Sequence, residues 1–250
     1  MFCQIERQWG PARDMTKDTL NPNAGAGVAA VERALNIVAA LEASAQPLSL
    51  ADLARATGMY KSTLLRLLVT LEHSALVVRR PDSKYALGQF AFRLGRAFEA
   101  TYHLKECVVP VLEWLVAQGT ESSSFHQWHD EDNRLCLFRC DSNHPTLDRV
   151  RAGDILPIRR GAAGKVLRLF RKGLAVADNT PLIQTSYGER DPSCAAIACP
   201  VFGASSETIG ALSLSGPLER FSPAAVKKMS KTLVAAAERA TRSLGGRWPA

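Results

Sequence analysis

A capped helix, a glycine turn, a second helix and a basic hairpin follow one another without interruption. This run constrains the fold of the 250-residue chain more than any other feature. Ser49 with Asp52 three residues on has the spacing of a capping box, so a helix is expected from about Leu50 to Thr57. Its buried side is Leu50, Leu53 and Ala54, and Gly58 supplies the turn that ends it. Another helix follows almost at once, from about Lys61 to His73, with Leu64, Leu67, Leu68 and Leu71 in one apolar stripe. Val77–Arg80 and Tyr85–Gly88 read as two short strands about the turn Pro81-Asp82-Ser83-Lys84. Upstream, Val31, Leu35 and Val38 recur at helical spacing in a first helix that ends near Ala43 and Ser44. Three helices and a hairpin in this order make a winged helix-turn-helix over residues 28–88.

On a helical wheel the leucine stripe of the third helix turns inward and Ser62, Arg66 and His73 lie opposite, with Lys61 and Thr63 beside them. Hydroxyls and an amine at the start of an exposed helix suit phosphate contacts, helped by the unpaired N–H groups there. Arg66, one turn deeper, has the reach and the paired donors to read a guanine edge. Arg79, Arg80 and Lys84 on the hairpin are placed for the backbone or an adjacent minor groove. Each charge alone is an ordinary solvated group. The order of elements turns them into a candidate face for a double-stranded DNA operator, and the formal net charge of +7 agrees with a polyanionic partner.

Residues 1–27 end in the breaker-rich run Asn21 to Gly27 and read as a disordered tail. Their mixed charges hold no apolar core of a secretory signal, and no stretch approaches the ~20 apolar residues of a membrane span. A cytoplasmic protein with no membrane partner is expected. From Gln89 to about His103 an amphipathic helix carries Phe90, Leu94, Ala97, Phe98 and Thr101 on one face, a linker over residues 89–104. Beyond it, over residues 105–246, the pattern alternates between classes. Val108–Gln118 reads as helix, Ser123–Trp128 and Arg134–Cys140 as strands, and Gly164–Phe170 as a short helix. Ala195–Phe202 and Ile209–Ser215 read as a strand pair, and Ser222 with Pro223 opens a last helix. Helices flanking strands without a βαβ rhythm make this half, and the chain as a whole, α+β.

His126, His129, Cys136 and Cys140 invite a zinc reading. Strand alternation sets the two histidines on opposite faces, however, and neither spacing matches a familiar zinc motif. No metal and no cofactor are expected. No Ser-His-Asp order, nucleotide-binding glycine loop or paired acid motif is present, so no catalytic residue is assigned and the chain reads as no enzyme. The six cysteines are scattered and read as reduced thiols. A thiol redox enzyme or redox sensor with an accessory DNA-binding domain is the rival reading, with Cys194, near Arg190, and Cys199 as its candidates.

The residues also carry a resemblance. Val31-Glu32-Arg33-Ala34-Leu35, Ser49 to Ala54, Lys61 to Leu68 and Tyr85-Ala86-Leu87-Gly88 resemble IclR-type regulators. So do Leu156-Pro157 with Gly164-Lys165, Cys199 to Phe202, and Ala211 to Pro217 followed by Arg220-Phe221. The resemblance implies a DNA-binding domain joined by a linker helix to a GAF-like effector domain with a mainly antiparallel sheet, assembled as a homodimer or homotetramer. It implies a transcription factor, repressor or activator, whose operator binding responds to a small organic acid. It places the effector pocket on Leu156, Ala162, Ala163, Ala196, Ser213 and Ser215, with serine hydroxyls and the N–H groups around Gly161 to Gly164 toward a carboxylate. Arg159, Arg160 and Gly161 stand where the family commonly has histidine, a small residue and serine or threonine. The two arginines either pair with a carboxylate in that pocket or project into solvent. The stretch Arg171 to Tyr187 is shorter than usual, which shortens one pocket wall, and Ser193 replaces a usual glycine.

Overall fold

A computed structural model describes residues 27–44, 46–101, 104–174 and 180–249. Apart from Gly27, the expected tail lies outside the described residues, as do 102–103 of the expected linker and 175–179 of the shortened wall. The chain divides between Thr101 and Tyr102 into two compact units.

The first unit runs α1 (Ala29–Glu42), α2 (Leu50–Thr57), α3 (Lys61–His73), β1 (Val77–Arg79), β2 (Tyr85–Leu87) and α4 (Gln89–Thr101). The capping box forms as the spacing predicts: Ser49 Oγ accepts from Asp52 N at 3.2 Å and Asp52 Oδ2 accepts from Ser49 N at 3.0 Å. Such a cap is worth about 1 kcal/mol. The Ser49 hydrogen bonds, with Arg55 beside them, hold the Asp52 carboxyl down to about 2. Gly58 ends α2 at φ +67°, a conformation that costs a side chain and suits glycine. Leu64, Leu68 and Leu71 of α3 pack with Leu53, Val77 and Tyr85 into one core. Tyr85 also pairs with Leu48 through two backbone hydrogen bonds, tying the hairpin back to the entry of α2.

One expectation changes. In α1 the inward residues are Ile37 and Leu41, while Val31 and Leu35 are 55% and 58% exposed. Two overlapping helical series run through α1, and packing against α2 and α3 selects the one carrying Ala34, Ile37 and Leu41.

The second unit runs α5 (Leu104–Ala117), β3 (Ser122–Trp128), β4 (Asn133–Cys140), β5 (Ile155–Pro157), α6 (Ala162–Leu169), β6 (Gln184–Tyr187), β7 (Cys194–Phe202), β8 (Thr208–Pro217), a 3-10 turn at Leu218–Arg220 and α7 (Pro223–Ser243). The strands form one antiparallel sheet in the order β5-β4-β3-β8-β7-β6. Strands β5 and β6, the two edges, were not expected from the sequence pattern. Alternation along β7 divides the faces: Ala195, Ile197, Cys199 and Val201 pack under α5 and α7, whereas Ala196 and Ala198 turn toward α6. The fold is α+β throughout.

The glycine and arginine of the Ser-Gly-Pro…Arg-Phe run have a visible task. Arg220 grips Glu121 with two hydrogen bonds of 2.6 and 2.8 Å. A Cβ on Gly216 would occupy the place of that carboxylate.

Candidate nucleic-acid face and ligand pocket

Helix α3 has no side-chain cap, in contrast to α2. Its first N–H groups therefore lack the partner that Ser49 gives α2, and an anion can supply it. Lys61, Ser62 and Arg66 are exposed around this end and Thr63 is half-buried. Among the described residues neither Lys61 nor Arg66 has a carboxylate within ion-pair distance. On the hairpin Arg79, Arg80 and Lys84 are all exposed. Arg79 donates to Ser83 Oγ at 3.4 Å, and Arg80 lies 3.8 Å from Asp82. Polar-residue reasoning misses three neighbours of this face: Tyr60, 86% exposed at the start of α3, and the exposed Leu65 and Val69. Apolar side chains at these positions suit contact with a thymine methyl or sugar edge.

In the second unit a cavity of about 40 Å³ opens beside the N-terminus of α6. Ala162 and Ala163 of α6, Ala196 of β7, and Ser213 and Ser215 of β8 all line it. They meet because β7 and β8 pair Ala196 with Ser215 and Ala198 with Ser213, and α6 packs on that face. Gly164 permits the approach of α6: a Cβ there would run into the carbonyl oxygen of Ile158 and sit 2.9 Å from its carbon.

The remaining residues named from the sequence lie elsewhere. Leu156 pairs with Arg134 along β5 and is not among the lining residues. Arg159 is largely exposed, 3.8 Å from Asp132, beside a surface hollow with Trp128 and Arg171. Arg160 is exposed, and its carbonyl accepts from Arg134 at 2.8 Å.

The charges in the cavity come instead from Arg134, Asp148, Arg190 and Asp191, with the His126 ring beside them. Asp148 is fully buried and shared, 2.6 Å from Arg139 and 3.5 Å from Arg190. Asp191 is engaged by Ser193 N at 3.0 Å and Ser193 Oγ at 2.7 Å. Burial, then the like charge of Arg190, brings the Arg134 guanidinium down to about 10, still cationic at neutral pH. Burial, with Arg134, Arg139 and Arg190 around it, pushes His126 well below the ordinary imidazole range, so the ring is neutral. Arg134 had one sequence signal: on β4 it shares the phase of buried Cys136, an unusual place for a charge.

At the cavity's edge Glu189 accepts from Gly161 N at 3.2 Å and pairs with Lys165, which also donates to Thr185 O at 2.9 Å. Burial pushes the Glu189 carboxyl up, but the hydrogen bonds from Lys165 and Gly161 outweigh it and hold the group below its ordinary value.

The thiol reading finds no support. Burial pushes Cys194 and Cys199 above the ordinary thiol range and Cys136 up to about 12, which suppresses the nucleophilic thiolate. Among the described residues no group of three or more His, Cys, Asp or Glu could hold a metal ion, and no helix is long and apolar enough to cross a membrane.

The family model of the IclR helix-turn-helix domain matches residues 30–81, and that of the bacterial transcriptional regulator IclR C-terminal domain matches residues 183–242. This chain belongs to the IclR family. One IclR relative, the transcriptional repressor IclR of Escherichia coli, is 23% identical over 249 residues, 88% of this chain and 91% of that protein. The HTH-type transcriptional regulator BhcR of Paracoccus denitrificans is 27% identical over 242 residues, 84% of this chain and 85% of its own. In three dimensions the IclR homolog of Microbacterium hydrocarbonoxydans, solved with 4-hydroxybenzoate, superposes with a TM-score of 0.72 at 17% identity, covering 86% of this chain and 98% of that one. The Escherichia coli and Paracoccus relatives are both transcriptional regulators. The chain is accordingly an IclR-type DNA-binding transcriptional regulator with a C-terminal effector-binding domain.

Proposed function

We propose that a small organic acid, bound beside α6, modulates the binding of this regulator to a DNA operator. The observation that carries the reading is the cavity itself, where buried Ser213 and Ser215 and the cations Arg134 and Arg190 converge near an uncapped helix start. The 4-hydroxybenzoate complex of the Microbacterium homolog supports an acid of this class. In the DNA-binding domain, residues 28–88, Lys61, Ser62 and Thr63 position α3 on phosphates, Arg66 reads a base, and Arg79, Arg80 and Lys84 hold the flank. Residues 89–104 link this domain to the effector domain, 105–246. In a homodimer or homotetramer the linker passes the effector's preference to the spacing of paired recognition helices, so operator half-sites lie one helical turn, or a multiple, apart. Leu156, Arg159 and Arg160 stand outside the cavity lining and are not needed for this reading.

Fluorescence anisotropy of a labelled duplex from the region upstream of the coding sequence tests it. At least one small carboxylate should change operator affinity by roughly fivefold or more, the lower end of measured couplings. The Ser213→Ala, Ser215→Ala double variant should bind the duplex normally and respond less. An operator affinity indifferent to every acid tried would remove the effector from the account.

A further inference from the structure

Four buried polar atoms of residues that line the cavity have no hydrogen-bond partner: Arg134 Nε, His126 Nδ1 and the two carboxylate oxygens of Asp148, which are held instead by ion pairs with Arg139 and Arg190. Arg134 is 3% exposed and His126 4%. The arginine is only half used. Its Nη1 donates to the carbonyls of Pro157 and Arg160, while neither Nε nor Nη2 donates to any described residue. The unused atoms form one edge of the guanidinium, the two-donor fork that matches a carboxylate.

Charge pairing points the same way. Asp148 is committed to Arg139 and Arg190, and Asp191 Oδ1 is taken by Ser193. Among the described residues no carboxylate lies within ion-pair distance of Arg134. A buried cation that meets only carbonyl oxygens and another guanidinium is costly, and a bound anion removes the cost. His126 Nε2 is bonded to Ser124 Oγ at 3.0 Å, which leaves Nδ1 as a neutral polar atom on the same cavity.

We propose that Arg134 is the effector-selecting residue of this regulator, its Nε–Nη2 edge holding the carboxylate of a compact acid whose second polar group meets His126 Nδ1. The inference rests on the small-acid reading above and assigns recognition to a cation on β4. The serine pair and the helix start then shape the rest of the site. The small volume of the cavity favours a short acid.

The test uses the full chain, with acetate, lactate, succinate, benzoate and 4-hydroxybenzoate as probes, each beside its primary amide. Thermal shift identifies a binding acid, because a ligand of the folded state raises its stability, and calorimetry gives its Kd. Arg134→Gln should weaken that acid by roughly ten- to a hundredfold, the range for a charged hydrogen bond. Arg134→Lys, which keeps the charge and loses the fork, should weaken it as well, and the amides should bind no better to wild type than to either variant. Nitrogen NMR of the wild-type chain needs no substitution: the Arg134 Nε–H resonance should move saturably with the acid. A bound acid that leaves this resonance in place, or binds the variants as tightly as wild type, overturns the assignment while the small-acid reading stands. No response of the wild-type chain to any acid, in stability or in operator affinity, overturns both.

Discussion

Asp148→Ala should destabilise the effector-binding unit by about 3–5 kcal/mol, the cost typical of removing one partner from a buried ion pair. The Asp148 side chain has no exposure, and its carboxylate is 2.6 Å from Arg139 and 3.5 Å from Arg190. Without it, among the described residues Arg139 keeps only Asp141, a mostly exposed partner at 2.6 Å, and Arg190 keeps no ion pair. Arg134 stands nearby with no carboxylate of its own, so the substitution leaves several cations around one cavity. Asp148→Asn separates shape from charge, since it preserves the volume and removes the negative charge. Both variants should move the urea midpoint down together. An alanine variant within about 1 kcal/mol of wild type would mean that solvent reaches the cluster and that burial is not what makes Asp148 matter.

Gly164→Ala should cost about 3 kcal/mol, the upper end for overpacking, because the obstacle is backbone. The added Cβ would strike the carbonyl oxygen of Ile158 and lie 3.1 Å from Arg134 Nη1. That carbonyl cannot swing aside cheaply, so α6 must move out and the cavity it borders must change shape. Gly95 is the contrast. A Cβ there meets nothing within 4 Å inside α4, so Gly95→Ala should be neutral or stabilising by up to about 1 kcal/mol. Denaturant unfolding of both variants beside wild type checks the pair. Equal small effects would show that the close approach of α6 to Ile158 is not required.

The sequence made some of this legible and hid the rest for identifiable reasons. The bounds of α2 and α3 follow from local chemistry, the Ser49–Asp52 box, Gly58 and the leucine stripe, and local chemistry suffices there. The inward face of α1 does not, because its two apolar series differ only in what α2 and α3 offer them. Strands β5 and β6 span three and four residues at the sheet's edges, too short for alternation to register. The pocket was half legible. Ser213 and Ser215 lie in a family motif, the resemblance places Ala162, Ala163 and Ala196 beside them, and strand pairing with the packing of α6 brings the five together. His126, Arg134, Asp148 and Arg190 come from separate segments, and only the tertiary fold gathers them around one cavity. The adjacent Arg159 and Arg160 attract attention in sequence but project from a loop into solvent.

Operator recognition is proposed to rest on α3 as the element that reads DNA. Titrating wild type and Arg66→Ala against the duplex upstream of the coding sequence, and against a random duplex of equal length, measures it directly. Arg66→Ala should lose about 1–3 kcal/mol on the specific duplex and much less on the random one, as removal of a base contact requires. Wild type that binds both duplexes equally, with Arg66→Ala unchanged on each, would contradict it.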